Sequence, residues 1–386
     1  MSKCVNVLFC GDFCSTPSPS LITVSDELKE LISSADLRVC NFEVPVKSEG
    51  KAIDKIPPIL SQSVESPDFL ESLGFNVISL ANNHMFDYGK EGFYQTRDSF
   101  SKVVEVLGAG TFEEAYKVHV VECNGIKIGF LAVVFACSGV LNEEAERGDL
   151  GCAMINHLKV NHLIVDAKKK VDFLFVYPHD GIEYVGIPLP EVRARYRDFI
   201  DWGADGVIAH HPHVPQGWEV YKQKPIFYSL GNFFFNSKQT PDYKAKTDYW
   251  YNGLLVKMDV GVELEKTINF EVYHVLNEGN IHLGLDHTAS IKSHVQVLCE
   301  ALQDDRMYEE LLKQEMLRLW KSKYSPTLNW SFLSASTEYG YVNSFKNSLK
   351  GFLGKKADLK DFYAFMKNDS DRNLIIRCLK KMYNYK

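Results

Sequence analysis

Residues 209–214 read AHHPHV, three histidines within four positions around a proline. Imidazole nitrogens this closely spaced suit a metal centre. In an extended chain successive side chains point to opposite faces, and the residue before a proline is biased to extended conformations. His211 and His213 are therefore expected to share a face as ligands, with His210 pointing the other way. The run LANNHMFDYG (80–89) places Asn82, Asn83 and His84 directly after apolar residues. Asn83 offers a neutral carbonyl oxygen to a cation, and His84 suits proton donation to a leaving group. Asp87 and Tyr88-Gly89 read as turn-shaping residues. Asp12 follows Gly11, and Glu43 sits in NFEVP. Two carboxylates beside several imidazoles are a common way to hold two divalent cations. His179 in FVYPHDGIEY adds another imidazole, and Glu183 is placed to orient a ligand or touch substrate.

These residues need elements to bring them together, and each group follows a strand-like run. VNVLFCGDF, LRVCNFEVP, NVISLANNH, VDFLFVYPHDG and DGVIAHH read as buried strands with polar ends. Helical segments lie between them. SDELKELISSAD has Ser25 at its N-cap, and SPDFLESLGF has Ser66 at the N-cap and Pro67 at the first helical position. PEVRARYRDFIDWG is stopped by Gly203. Asn124-Gly125 marks a hairpin, and the runs from Gly217 to Leu276 read as antiparallel strands. The class is α/β, with ligand-type residues at strand ends, where sites on layered scaffolds form. From about residue 280 the texture becomes helical, so 1–279 is expected to be one domain and 280–386 a helical, basic C-terminal extension.

With 386 residues, 45% hydrophobic and 24% charged, the chain can bury a large core. Its net charge of −7 gives no reason to expect nucleic acid as a partner. Tyr341–Lys386 departs from that balance, with eleven Lys/Arg against four Asp. That stretch is expected to dock on a polyanion, an anionic membrane surface or an acidic partner. Nine scattered cysteines without a CxxC pair point to reduced thiols. The longest apolar run, IGFLAVVFA, is far short of the ~20 residues a membrane helix needs. The expected location is cytoplasmic, peripheral to the inner membrane at most.

GDF, NFEVPV, SLANNHMFDYG, PHDGIEY and GADGVIAHHPHVPQGWEVYKQKPIFYSLGNFFF occur in this order. Together they resemble the CapA-type capsule-synthesis family, also called poly-gamma-glutamate synthesis proteins, over roughly residues 5–275. That family is similar in fold to calcineurin-like metallophosphoesterases. The resemblance implies a four-layer α/β/β/α sandwich with a metal centre at its strand ends. It implies Asp12, Glu43, Asn83, His179, His211 and His213 as ligands and His84 as general acid. Asn82, Glu183, His210 and Asn232 complete the set as residues touching substrate or supporting the ligands from behind. One or two divalent ions are implied, with Mn, Zn and Fe all compatible. Where phosphoesterases of this kind carry Asp-x-His, this chain has Asp12-Phe13-Cys14.

The expected function is a metal-dependent hydrolase or transferase acting on a capsule or surface-polymer precursor, poly-gamma-glutamate or polysaccharide. One alternative is an enzyme forming or transferring amides, joining amino acids to acidic sugars or to a gamma-glutamyl polymer. It would need a nucleotide site other than a GxxxxGK[ST] loop, which is absent. The other alternative is a non-catalytic, metal-stabilised scaffold that docks in a capsule synthase complex through its basic C-terminal extension.

Overall fold

The first strand, Lys3–Ser15, is apolar on both faces, with Val5, Val7, Leu8, Phe9 and Cys10 all fully buried. A strand of that kind belongs inside a layered protein. The computed structural model describes residues 3–55, 58–137, 139–141, 148–236, 249–263, 265–278, 281–324 and 367–382. In it, Lys3–Ser15 is central to a nine-stranded mixed sheet. From Val7 to Phe13 it runs parallel to Leu37–Phe42, from Asp12 to Ser15 parallel to Asn232–Asn236, and from Lys3 to Phe9 antiparallel to Asn252–Val262. Val77–Ser79 and Glu105–Leu107 extend the sheet on one side. Lys266–Glu278, His282–Leu285 and Thr23–Val24 extend it on the other.

A second, six-stranded sheet packs against the first. Its order is Pro215–Tyr221, Lys224–Leu230, Gly206–Ile208, Phe173–His179, Ile126–Val134 and His119–Cys123. The period-2 rule divides its side chains cleanly. Ile126, Ile128, Phe130, Phe173, Phe175 and Tyr177 join the core shared with the first sheet. Leu131, Val133, Leu174 and Val176 face the helices Leu158–Lys168 and Pro190–Trp202. On the outer side of the first sheet lie the helices Asp26–Ser33, Ser66–Ser72 and Gly89–Ser99. The result is an α/β/β/α sandwich. Burying a side chain the size of Phe9 between the sheets contributes about 2 kcal/mol.

Local signals act where they were read. Ser25 accepts a hydrogen bond from the Leu28 amide at 3.3 Å, and Asn124-Gly125 adopts positive φ at both positions. Two boundaries shift. The helix at 66 has Glu65 at its cap, so Ser66 and Pro67 fall inside its first turn. The main fold also runs past the expected boundary at 279. His282–Leu285 alternates well enough to bury Leu283 and completes the first sheet. The long helical sequence after it divides at Asp304, whose carboxylate accepts from the Arg306 and Met307 amides and starts a new helix. The helices Ala289–Ala301, Asp305–Leu319 and Asp369–Met382 carry Leu302, Tyr308, Leu312, Met316, Leu374 and Cys378 into or beside the core of the second sheet. Of the basic stretch 341–386, residues 341–366 and 383–386 lie outside the described residues, and so does its expected docking role. All nine cysteines are free thiols. Among the described residues no helix is long and apolar enough to cross a membrane.

Candidate metal centre

Asp12 owes its direction to an irregularity. Phe9 pairs with Val39 and Asp12 with Asn41, three steps against two. The extra residue is a β-bulge, which exchanges the faces of everything after it. Phe9 packs on Phe175 of the second sheet at 5.3 Å between centroids. Phe13, four residues on, instead stacks on Phe69 of an outer helix at 5.9 Å. Asp12 is thereby turned toward the second sheet. Gly11 makes room for this, since a Cβ there would lie 1.9 Å from the Gly231 carbonyl oxygen.

The histidine run is not extended. His210 pairs with His179 as a β-bridge, and then the chain turns, with φ of 104° at His211 and 59° at His213. Two bonds hold the turn. The His211 amide donates to Asp12 Oδ2 at 3.0 Å, and the Tyr184 amide donates to the Pro212 carbonyl at 2.8 Å. The alternation that sent His210 away from the other two therefore fails. His210 Nδ1 lies 3.1 Å from Asp12 Oδ1 and 2.7 Å from His179 Nδ1. His213 approaches Asp12 at 3.5 Å and Glu43 at 3.6 Å. His179 approaches them at 3.7 and 3.8 Å.

Three overlapping groups of ligating atoms result, each within 4.8 Å of one another. They are Asp12, His179 and His210; Glu43, His179 and His211; and Asp12, Glu43 and His213. All six side chains are buried. Asn83 joins them through Oδ1, 2.9 Å from His179 Nε2. Asn232 Oδ1 lies 2.9 Å from His213 Nδ1, which supports that ring from behind. Asn41 donates to Asp12 Oδ1 at 2.7 Å. Asn82 bonds the Phe42 carbonyl and the His84 amide and ties two strand ends together. Glu183 is half-buried on the rim, and its negative charge is felt at Glu43 and His84.

The electrostatics test whether a cation fits. Burial pushes Asp12 up, but His210, His213 and the Asn41 hydrogen bond outweigh it and hold the carboxyl down to about 2. Glu43 has no such relief. Burial, then the charges of Asp12 and Glu183, push it well above the usual carboxylate range. Neither of its oxygens has a hydrogen-bond partner among the described residues. His179 and His211 are held well below the usual imidazole range by burial and by neighbouring histidines, so both are neutral with lone pairs available. His210 Nε2 and His211 Nδ1 are also unpartnered. A buried carboxyl group and two imidazole nitrogens without partners are expensive. Divalent cations among these side chains would compensate Glu43, and mixed nitrogen and oxygen donors suit Mn, Zn or Fe.

His84 sits beside this cluster. Its Nδ1 is 2.7 Å from Asp87 Oδ2 and 3.2 Å from Lys55 Nζ. Burial, then Lys55, lower its pKa, and Asp87 opposes them. Lys55 also pairs with Asp87, whose second oxygen accepts from the Leu60 amide. Asp87 is therefore more than a turn residue. Sequence reasoning missed Lys55 and Asn41. Lys55 lies in an aperiodic loop without a signal, whereas Asn41 lies in the strand Leu37–Phe42, two residues before Glu43, the spacing that repeats one face of an extended chain.

A family model described as bacterial capsule synthesis protein PGA_cap matches residues 9–237. The capsule biosynthesis protein CapA of Bacillus anthracis is 30% identical over 302 residues, covering 76% of this chain and 67% of that protein. The PGA biosynthesis protein CapA of Bacillus subtilis is 33% identical over 218 residues, covering 55% and 57%. The chain thus spans about two thirds of one relative and little more than half of the other. Among solved structures, a phosphatase from Mycoplasma pneumoniae aligns over 72% of this chain and 95% of its own, with a TM-score of 0.42 and 17% identity. The residues around Asp12, Glu43, Asn83, His179 and the histidine turn all fall within the span the family model matches, and the chain belongs to the bacterial capsule synthesis protein family.

Proposed function

We propose that the chain is a metal-dependent phosphoesterase-type hydrolase or transferase that acts on a precursor of a surface polymer. The observation carrying this reading is the Glu43 carboxylate, fully buried without a hydrogen bond and faced by Asp12, His179 and His213. A bound divalent ion supplies Lewis-acid charge and makes water nucleophilic at neutral pH. Asp12, Glu43, Asn83, His179, His210, His211 and His213 are the residues that would hold one or two such ions. Neutral His179 and His211 do so without a prior loss of protons. His84, oriented by Asp87 through Nδ1, retains Nε2 for delivering a proton to the leaving oxygen. The relatives' names, capsule biosynthesis protein and PGA biosynthesis protein, support a polymer precursor as substrate.

The test is metal content and hydrolysis of p-nitrophenyl phosphate by the purified full chain. Wild-type protein is expected to carry divalent metal at one or two per chain and to turn over. His84→Ala is expected to keep the metal and lose about 100-fold or more in rate. Protein that binds no divalent metal overturns the reading. Metal binding without any turnover would favour the scaffold role instead.

A further inference from the structure

We infer that Gln62 is a positioning residue for Glu43, holding it in the centre through the backbone of a strained turn. The inference rests on the metal-binding reading above. Seven non-glycine residues of the described chain have φ in the left-handed region. Three of them, Asn124, Lys222 and Gln223, make hairpin turns, as such residues ordinarily do. The other four are Val44, Tyr184, His211 and His213, and all stand at the candidate centre. Val44, at 85°, is the outlier among them, because a β-branched side chain opposes that conformation. Strain of this kind persists only where the surroundings over-determine it.

What over-determines Val44 is mainly Gln62. Its side-chain amide donates to the Glu43 carbonyl and to the Val44 carbonyl, both at 2.8 Å. Its side-chain oxygen accepts from the Ser15 amide at 3.2 Å. The side chain is buried and uses both of its donors and its acceptor. Gln62 also fixes its own backbone, donating to the Pro45 carbonyl and accepting from the Lys47 amide, both at 2.9 Å. From the other side the Glu43 amide donates to the Phe13 carbonyl at 3.1 Å. The turn at Val44 takes two carbonyls out of the sheet ladder, and Gln62 is their replacement partner. It also ties that turn to the end of the strand that carries Asp12. One buried amide therefore sets the spacing between the two carboxylates. Without it, relaxation of the Val44 turn would let the Glu43 side chain swing away from the histidines.

The test is calorimetric titration of the full chain with Mn2+ after chelator treatment, in wild type, Gln62→Met, Glu43→Gln and the double variant. Glu43→Gln identifies the binding step that needs the carboxylate. Gln62→Met keeps the volume and removes the bonds. It is expected to weaken that same step about 10- to 100-fold, as loss of ligand-orienting partners does. In the Glu43→Gln background the same substitution is expected to add nothing. If Gln62→Met lowers Tm but leaves Mn2+ binding intact, or weakens it equally in both backgrounds, Gln62 is merely structural and the inference is overturned. If Gln62→Met does not melt cooperatively, Gln62→Ala takes its place with the same expectations. Wild-type protein that takes up no Mn2+ overturns the metal reading itself, and this inference with it.

Discussion

His210 Nδ1 lies 3.1 Å from Asp12 Oδ1, and neither side chain has any exposed surface. A contact of that kind stabilises the fold only while the carboxyl is ionised. His210→Ala is expected to cost about 2 kcal/mol in metal-free protein at pH 7, typical for a hydrogen bond to a charged group. The folded carboxyl is depressed to about 2. Its contribution is therefore fully present above the ordinary aspartate value near ~4 and is lost as pH falls toward the folded value. Urea unfolding at pH 7 and pH 3 checks this: the difference between wild type and variant shrinks at the lower pH. An equal difference at both would assign the cost to lost packing.

Burial, and then Lys55 from 3.2 Å away, depress the pKa of His84. Removing the cation favours the protonated ring. If His84 is the proton donor, the rate falls as pH rises through its pKa, and Lys55→Met moves that limb to higher pH. A pH–rate profile on p-nitrophenyl phosphate reads the shift. A limb that moves downward, or stays in place, would remove His84 from the role.

Gly11→Ala is expected to be severe for a steric reason. The added Cβ would meet the Gly231 carbonyl at 1.9 Å, so the bulge that aims Asp12 must open. We expect at least about 2 kcal/mol of destabilisation together with loss of bound metal, measured by thermal melts and elemental analysis. Full metal content in a folded variant would mean that Asp12 is aimed by other contacts.

Metal itself should act as a ligand of the folded state. Chelation is expected to lower Tm, and Mn2+ at 100 times its dissociation constant should restore about 2.7 kcal/mol. Asn83→Ala and His211→Ala should each lower bound metal and shrink that increment. Scanning calorimetry with and without Mn2+ distinguishes them from variants that only weaken the fold.

Much of this architecture was legible because apolar runs and polar strand ends carry strong local signals. Ser25, Gly203 and Asn124-Gly125 act locally and were readable for that reason. The orientation of His210 was not legible. It depends on the His211 amide binding a carboxylate 199 residues away, which no local rule for an X-Pro pair contains. Lys55 and Gln62 lie in a segment without periodicity, and their roles exist only once Asp87, Glu43 and Ser15 surround them. The strand at 282–285 was hidden because four residues of alternation are too few to stand out from a helical neighbourhood.

The pairing of Asp12 with Asn232, beside Asn252–Val262, has a consequence for biosynthesis. A chain emerging from the ribosome cannot complete its first strand until some 250 further residues have been made. At ~5–20 residues per second, Lys3–Ser15 waits for many seconds with one edge unpaired. N-terminal fragments that end before residue 262 are therefore expected to aggregate rather than fold, and the centre can be charged with metal only after the Asn252–Val262 strand has left the ribosome.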